Sequence, residues 1–209
     1  KALTAVAKTL DDQRPLFSEV MSLGDQLQQI LTDPASKSEI KGKMGQVERQ
    51  FNNCQRKLDN ALAELENSAK EGKEFEGQCA DAQAWLREME GLLSDKFSIS
   101  ADRQTLIEQV AEFDPIYKEV MSKEHEIIMI LNRGKDIIAK APKADDANIK
   151  KNLDSVEKSW QKVKKISQDR HNKLNICMEY CKKFYGAQEK FLPWLEKAEA
   201  QLERLEVIS

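Results

Sequence analysis

Residues 149–205, IKKNLDSVEKSWQKVKKISQDRHNKLNICMEYCKKFYGAQEKFLPWLEKAEAQLERL, carry an apolar seam in strict alternation of four and three positions. Fourteen of the seventeen seam positions are apolar. A chain that is 40% hydrophobic gives about seven by chance. Because this spacing returns side chains to one face of a helix, the stretch predicts a single, very long α-helix.

The same spacing recurs earlier in the chain. Shifted back by 109 residues, the seam runs from Ile40 to Leu93 with fourteen of sixteen positions apolar. A second seam, from Leu106 to Ile138, has a counterpart one hundred residues earlier, where RPLFSEVMS (14–22) answers DPIYKEVMS (114–122). The unequal offsets predict about nine inserted residues between Leu131 and Ile149. Repetition at this period indicates an array of similar units.

The seams and breaks predict four helices, at about 2–32, 36–95, 102–140 and 146–208. The turn before the second helix contains Asp33, Pro34 and Ser36, which are turn and capping residues, and Asp145 or Asp146 is expected to cap the fourth. Pro15, Pro115 and Pro193 lie inside seams that keep register on both sides, so bends are expected there, with a helix start at Pro193 as the alternative.

Composition narrows the function classes. One third of the residues are charged, the net charge is −3 and the pI is about 5.7. These values argue against nucleic acid as the main partner, because phosphate binding needs a clearly basic face. The chain contains no run of about 18 apolar residues, so membrane insertion is not predicted. The first residues do not resemble a signal peptide, and a cytoplasmic location is therefore expected.

No set of residues predicts catalysis. His125 and His171 lack the companions of a catalytic triad, no glycine-rich phosphate loop occurs, and the chain is expected to be neither an enzyme nor a cofactor protein. The four cysteines are widely scattered, which favours reduced, partly buried thiols. Cys177 and Cys181, near His171, could in principle bind a metal, but structural zinc needs four ligands and no metal site is predicted.

The aromatic positions carry a family resemblance. Trp85 in CADAQAWLREMEGLL and Trp194 in QEKFLPWLEKAEAQL lie 109 residues apart, and Trp160 in SVEKSWQKVKKI corresponds to Phe51 in QVERQFNNCQRKL. With the long shared helices, this pattern resembles the spectrin repeat, and the proline-containing second-helix phrase is most similar to repeats in the rods of plakin and spectraplakin cytoskeletal linkers. Phe51 stands where tryptophan is usual in that family.

The resemblance implies an all-α fold of tandem three-helix bundles joined by continuous long helices. Residues 1–70 would be a repeat without its first helix, 71–186 a complete repeat, and 187–209 the first helix of a following repeat. The chain is therefore expected to be a fragment of a larger rod. The expectation depends on unbroken helix at 70–77 and 179–186.

The implied function is a structural segment of a cytoskeletal cross-linker, acting as a semi-rigid spacer and as a docking surface for a cytoskeletal or adaptor protein. Three groups of residues are candidates for partner binding. They are the apolar run at Ile128, Met129 and Ile130, the lysines of a basic stretch at Lys162, Lys164 and Lys165, and the final-helix residues Phe191, Trp194 and Leu195.

Each group also has a structural interpretation. Middle helices of bundles bury wide stripes, so Ile128 and Ile130 are expected to flank the core and Met129 to face outward. The basic stretch 158–190 is expected mainly to pair with the acidic stretch 59–95 across one bundle. Ser167 and Arg170 interrupt the seam together and are interpreted as a polar layer that fixes register.

Two other functions remain possible on the sequence alone. A homo-oligomerisation module would use the open end helices, with the final helix of one molecule docking into the two-helix gap of another. A membrane-shaping helical dimer would need one strongly basic face and has no reason to repeat at 109 residues, so the repetition counts against it.

Overall fold

The described residues, 1–140 and 146–208, form helices and short connections in this computed structural model. The helices are α1 (Ala2–Ile30), α2 (Pro34–Leu93), α3 (Arg103–Ser122), α4 (Glu124–Lys140) and α5 (Asp146–Ile208). No strand occurs among the described residues. The all-α prediction is confirmed, and both segments on which it depended, 70–77 and 179–186, are helical.

Helix starts follow the predicted chemistry. Asp33 accepts hydrogen bonds from the Ser36 backbone N–H (3.2 Å) and hydroxyl (2.7 Å), and Pro34 begins α2. Asp102 does the same for Thr105 at the start of α3, at 3.0 and 2.7 Å. These bonds to the ionised form hold the pKa of both carboxyl groups below the usual range. The predicted cap at Asp145 or Asp146 lies outside the described residues and side chains.

All three interior prolines lie within helices, as the unbroken register predicted. Pro193 is deep inside α5, so the alternative of a helix start at this residue is wrong. An interior proline removes one backbone hydrogen bond, and the helices continue through all three positions despite this cost.

The predicted helix 102–140 is divided at Lys123, which was not expected. The Lys123 N–H is shared between the carbonyl oxygens of Glu119 (3.3 Å) and Val120 (3.2 Å), and the Ser122 hydroxyl also donates to Glu119 O at 2.6 Å. A serine hydroxyl that competes for a carbonyl of the preceding turn weakens the regular ladder. Residue 123 therefore forms a turn between α3 and α4.

The chain divides into two compact units, Lys1–Lys73 and Glu74–Ser209. In unit 1, α1 packs against the first part of α2, with the Phe17 and Phe51 rings stacked at 4.2 Å between centroids. The face of α1 that packs on α2 contains Leu3, Ala7, Leu10, Phe17, Met21 and Gly24, each at least half-buried. The predicted seam of α1 also includes Val6, Val20 and Leu27, which are exposed, whereas its members Leu10 and Phe17 are half-buried.

Unit 2 has a core contributed by four helical segments. The second part of α2 supplies Phe75, Leu86 and Met89, and α3, α4 and α5 close around it. Core members from these three helices are Leu106, Phe113, Val120, Ile127, Ile130, Leu131, Val156, Trp160, Val163 and Leu174. Because α3 and α4 follow one another, the unit is a three-helix bundle in which the middle helix carries a break.

Gly24 in unit 1 and Gly134 in unit 2 occupy equivalent levels, meaning equivalent positions along the helix axes of their units. A Cβ atom on Gly24 would lie 2.5 Å from the Met44 sulfur, and one on Gly134 would lie 2.8 Å from Leu153 Cδ1. Met44 and Leu153 are 109 residues apart, and the glycines are 110 apart. At both places a side chain from the neighbouring helix fills the space that a Cβ would need, so the middle helices align with an offset of 110.

The repeated phrase therefore occupies different levels in the two units. Phe17 stacks on Phe51, whereas Tyr117, one hundred residues later, stacks on His171 with centroids 3.7 Å apart. Trp160 is the counterpart of Phe51, so equal positions of the two phrases would have placed Tyr117 on Trp160. Ten residues correspond to about three helical turns. The inserted residues lie between the phrase and Gly134, around the break at Lys123, and the predicted insertion after Leu131 is wrong.

Candidate partner-binding surfaces

The candidate residues on α4 divide between core and surface. Ile130 is only 6% exposed and belongs to the core of unit 2, while Met129 is 58% exposed and Ile128 is also on the surface. The core-facing positions of α4 are Ile127, Ile130, Leu131 and Gly134. Met129 is thus not needed by the core, and Ile130 can contribute only as the floor beneath it.

A groove lies beside Met129, between α4 and the second part of α2, with a volume of about 470 Å³. Asp81 of α2 and Glu126 and Asp136 of α4 line it. Arg133, also in the lining, is held by Glu74 at 2.9 Å and Gln78 at 3.2 Å. The arrangement is an apolar centre inside a rim with more acid than base.

The three candidate lysines of α5 have different surroundings. Lys164 is half-buried and forms an ion pair with Glu124 of α4. Lys162 lies 3.8 Å from Glu90 of α2 and is exposed, as is Lys165. The predicted pairing between the basic and acidic stretches is therefore present at Lys162, and Lys164 is engaged within the bundle. Lys165 is the member of this group most accessible to a partner.

The final part of α5 presents apolar side chains to solvent. Trp194 is 62% exposed and stacks on Phe191 at 5.7 Å between centroids, and Leu195 is half-buried. Their counterparts 109 residues earlier, Ala82, Trp85 and Leu86, contribute to the core of unit 2. The largest contrast is between Phe75, which is fully buried, and Phe184, which is 63% exposed.

A fourth surface lies on α1, in the two-helix gap that the sequence predicted without identifying the residues that form it. One face of α1 exposes a run of apolar residues that comprises Val6, Leu16, Val20, Leu23, Leu27 and Ile30. Their spacing follows a heptad that lies beside the one packed on α2. In the sequence, these residues and the residues that pack on α2 form two neighbouring apolar stripes along α1, which the predicted seam treated as one stripe.

Ser167 and Arg170, the two polar residues that interrupt the seam of α5, do not form one polar layer. Arg170 donates to the Leu93 carbonyl at 3.2 Å, at the C-terminal end of α2, and its guanidinium lies 4.4 Å from the centre of the Phe97 ring. It thus caps α2 and holds the following connection. Ser167 is fully buried and its hydroxyl has no hydrogen-bond partner among the described residues.

The cysteines differ in environment. Cys54 is exposed, Cys177 and Cys181 are half-buried, and all four thiols are free. Burial, with a smaller contribution from Glu76, raises the pKa of Cys79 to about 11. Within residues 1–140 and 146–208, no three His, Cys, Asp or Glu side chains converge as metal ligands, and no helix is long and apolar enough to span a bilayer.

The structure is that of a helical repeat protein. Its defining features are the uninterrupted helices α2 and α5, the three-helix core of unit 2, and the contact between Trp85 and Trp160 in that core. The family model of the spectrin repeat matches residues 70–175, and the chain belongs to the spectrin repeat family, which is structural and non-enzymatic. No solved structure matches the chain.

Its relatives include very large proteins. Microtubule-actin cross-linking factor 1 of Homo sapiens (isoforms 1/2/3/4/5) is 25% identical over 190 residues, which are 90% of this chain and 3% of the relative. The Rattus norvegicus protein of the same name is 24% identical over 188 residues, 90% of this chain and 4% of the relative. The human isoforms 6/7 are 30% identical over 119 residues, 57% of this chain and 3% of the relative. The chain thus spans a small part of each.

Proposed function

We propose that this chain is a rod segment of a cytoplasmic cytoskeletal linker, in which it acts as a semi-rigid spacer and as a docking surface for other proteins. One observation carries the spacer role: α2 and α5 continue as helix through 70–77 and 179–186. A helix without a loop resists bending and transmits tension directly. The names of the relatives support the cytoskeletal setting.

The proposal includes a division of the chain into repeats. Residues 71–186 form one complete repeat, 1–70 provide the second and third helices of the repeat before it, and 187–209 begin another. The start of the family match at residue 70 and the division of the structure at Lys73 support the first boundary.

A proline at Lys73 tests whether the continuous helix joins the stabilities of the two units. Lys73 is exposed, so Lys73→Pro removes no core contact, but it costs the helix about 3 kcal/mol. Unit 1 has few buried side chains, and the packing of α1 depends on the helical structure of α2. We expect the variant to lose unit 1 helicity at a lower urea concentration than unit 2.

Two probes separate these events, because Trp85, Trp160 and Trp194 all lie in unit 2. Circular dichroism reports all helices, and tryptophan fluorescence reports unit 2 alone. The two urea curves should coincide in the natural sequence and in Lys73→Ala, and separate in Lys73→Pro. Coincident curves in the proline variant would contradict the spacer proposal.

Self-association is a second candidate, favoured by two complementary exposed surfaces. The last part of α5 has the sequence of a first helix, since its counterpart Phe75–Leu93 is packed against α3, α4 and α5 in unit 2. Unit 1 has a second and a third helix and an exposed apolar face on α1. The α5 end of one molecule would complete unit 1 of a second copy.

The internal repeat also gives the register of this association. Phe75 lies against Gly134, so Phe184 of one copy is expected near Gly24 of the other. Trp85 and Trp160 have centroids 6.5 Å apart, which places Trp194 near the second copy's Phe51. Large side chains on both surfaces would lose exposure, at about 1.5–3 kcal/mol for each one fully buried.

A mixing experiment tests the self-association. The first variant carries Val20→Glu with Leu27→Glu, and the second carries Trp194→Glu with Leu202→Glu. By sedimentation equilibrium each should be a monomer alone, while the mixture should form a one-to-one dimer through its two intact surfaces. Glu199→Gln, on exposed α5, is the control and should associate as the natural sequence does. A mixture that stays monomeric, or a natural sequence that is monomeric at high concentration, would exclude this function.

A further inference from the structure

The groove between α2 and α4 combines features that the bundle itself does not need. Its centre contains Met129, which is exposed, above Ile130, which is part of the core. Scattered exposed apolar residues are ordinary on protein surfaces. This one lies in a concave site rather than on a convex ridge, so a partner can surround it.

The rim of the groove determines the charge of what can bind. Asp81, Glu126 and Asp136 are its acids, and Arg133 is the one cation among the described lining residues. Arg133 is already bonded to Glu74 and Gln78, both on α2. A partner's carboxylate would therefore find no uncommitted cation in the lining.

Ion pairs within the chain leave part of the acidic charge uncompensated. Glu126 pairs with Lys123 at 3.1 Å, which reduces its attraction for a partner. Asp81 of α2 and Asp136 of α4 are exposed carboxylates on the two helices that border the groove. These two aspartates are the strongest determinants of charge preference.

We propose that this groove binds a basic amphipathic helix of a partner protein, with an apolar side chain on Met129 and Lys or Arg residues beside Asp81 and Asp136. The inference rests on the docking role proposed above and names the class of partner for it. A helix placed between two helices uses the same packing as the bundle. Methionine suits such a site because its flexible, polarisable side chain adapts to different apolar partners.

The charge preference separates this partner from the alternatives. An acidic segment would place carboxylates against Asp81 and Asp136 without a free cation to compensate. An uncharged apolar helix would cover Met129 but leave both aspartates partly desolvated and unpaired, which costs free energy. A basic helix satisfies the apolar centre and the rim together.

The test uses a synthetic helical peptide of about 18 residues, with leucines on one face and lysines on the other. Titration into the ¹⁵N-labelled chain, followed by NMR, should give saturable shifts confined to the groove segments of α2 and α4. Met129→Glu should weaken binding by about tenfold, because it places a charge at the apolar centre. Asp81→Lys with Asp136→Lys should weaken it by a similar factor.

Matched controls separate the groove from general attraction to an acidic surface. Ile107→Glu, at an exposed isoleucine of α3 in the same unit, should leave the affinity unchanged, and Met129→Leu should retain it. A peptide with the same lysines but alanine in place of leucine should bind at least about tenfold more weakly, since it cannot cover the apolar centre. Circular dichroism confirms that each variant remains folded.

Each contrary result overturns the proposal. Shifts spread over the whole surface, equal binding of the alanine peptide, or tighter binding of a peptide with glutamates in place of lysines would exclude a basic-helix groove. Because none of these changes alters α2 near residue 73, the separation of urea curves in Lys73→Pro remains an independent measure of the spacer role. The groove can therefore fail while the spacer role stands.

Discussion

Replacing Trp160 by alanine is expected to lower the free energy of unfolding of unit 2 by about 3–5 kcal/mol, the range for a large aromatic side chain removed from a packed core. Trp160 is 2% exposed and lies against Trp85 among the residues of the core. The cavity would open at the centre of the bundle, where α2, α3, α4 and α5 all contribute. Helices held at both sides of such a cavity cannot collapse into it fully.

Trp194→Ala is the control for this prediction, because it makes the same substitution on the same helix at an exposed position. In dilute solution its effect should stay within about 0.5 kcal/mol. Urea unfolding followed by circular dichroism measures both variants without relying on the tryptophan that has been removed. Equal losses for the two variants would show that the bundle is not organised around Trp160.

Gly134→Ala should also destabilise the chain, although alanine is the better helix former. The added Cβ would lie 2.6 Å from Phe75 Cζ and 2.8 Å from Leu153 Cδ1, and Phe75 is fully buried. Overpacking of this kind costs about 1–3 kcal/mol. The gain from replacing glycine within a helix is at most about 1 kcal/mol, so the net effect is a loss.

The opposite sign is expected for Gly77→Ala. Gly77 lies inside α2 and a Cβ there would meet no atom within 4 Å. Only the helix-forming gain then applies, and the free energy of unfolding should rise by about 0.5–1 kcal/mol. Urea midpoints of the two variants, compared with the natural sequence, give the two signs directly. A stabilising Gly134→Ala would mean that Phe75 and Leu153 can move aside.

Much of the fold could be predicted from the sequence because heptad spacing is a local property. The length of α5 follows from the four-and-three spacing, which keeps its register from Ile149 to Leu205 across the polar positions Ser167 and Arg170. The start of α2 follows from Asp33 and Pro34, whose capping chemistry acts within one turn. Neither inference needed any knowledge of which helix packs on which.

The repeated phrase in α1 and α3 did not predict the level at which each of these helices packs against its neighbours. RPLFSEVMS and DPIYKEVMS look equivalent, yet Phe17 and Tyr117 stack on side chains at different levels of their units. Similar apolar residues recur every three or four positions, so a shift of about three turns keeps the seam apolar. The contacts of Gly24 and Gly134 in the structure show which of the two alignments holds.

The candidate surfaces show the same division between local pattern and packing. The sequence predicted Met129 as the outward residue, with Ile128 and Ile130 flanking the core. Packing buries Ile130 and leaves Met129 exposed as predicted, but it also leaves Ile128 exposed. The sequence did not distinguish Lys164 from Lys162 and Lys165, whereas in the structure Lys164 forms an ion pair with Glu124 of α4. The sequence predicted an open gap in unit 1, and the packing of α1 on α2 decided which α1 residues stay exposed, among them Val20 and Leu27.

The sequence by itself determined that this protein is helical, repeated and built on long uninterrupted helices, because periodicity and capping are encoded within a few neighbouring residues. The tertiary structure decided the break at Lys123, the pairing level of the middle helix, and which apolar residues stay exposed. These features depend on contacts between residues far apart in the chain, where many registers satisfy the same apolar pattern and close packing selects one of them.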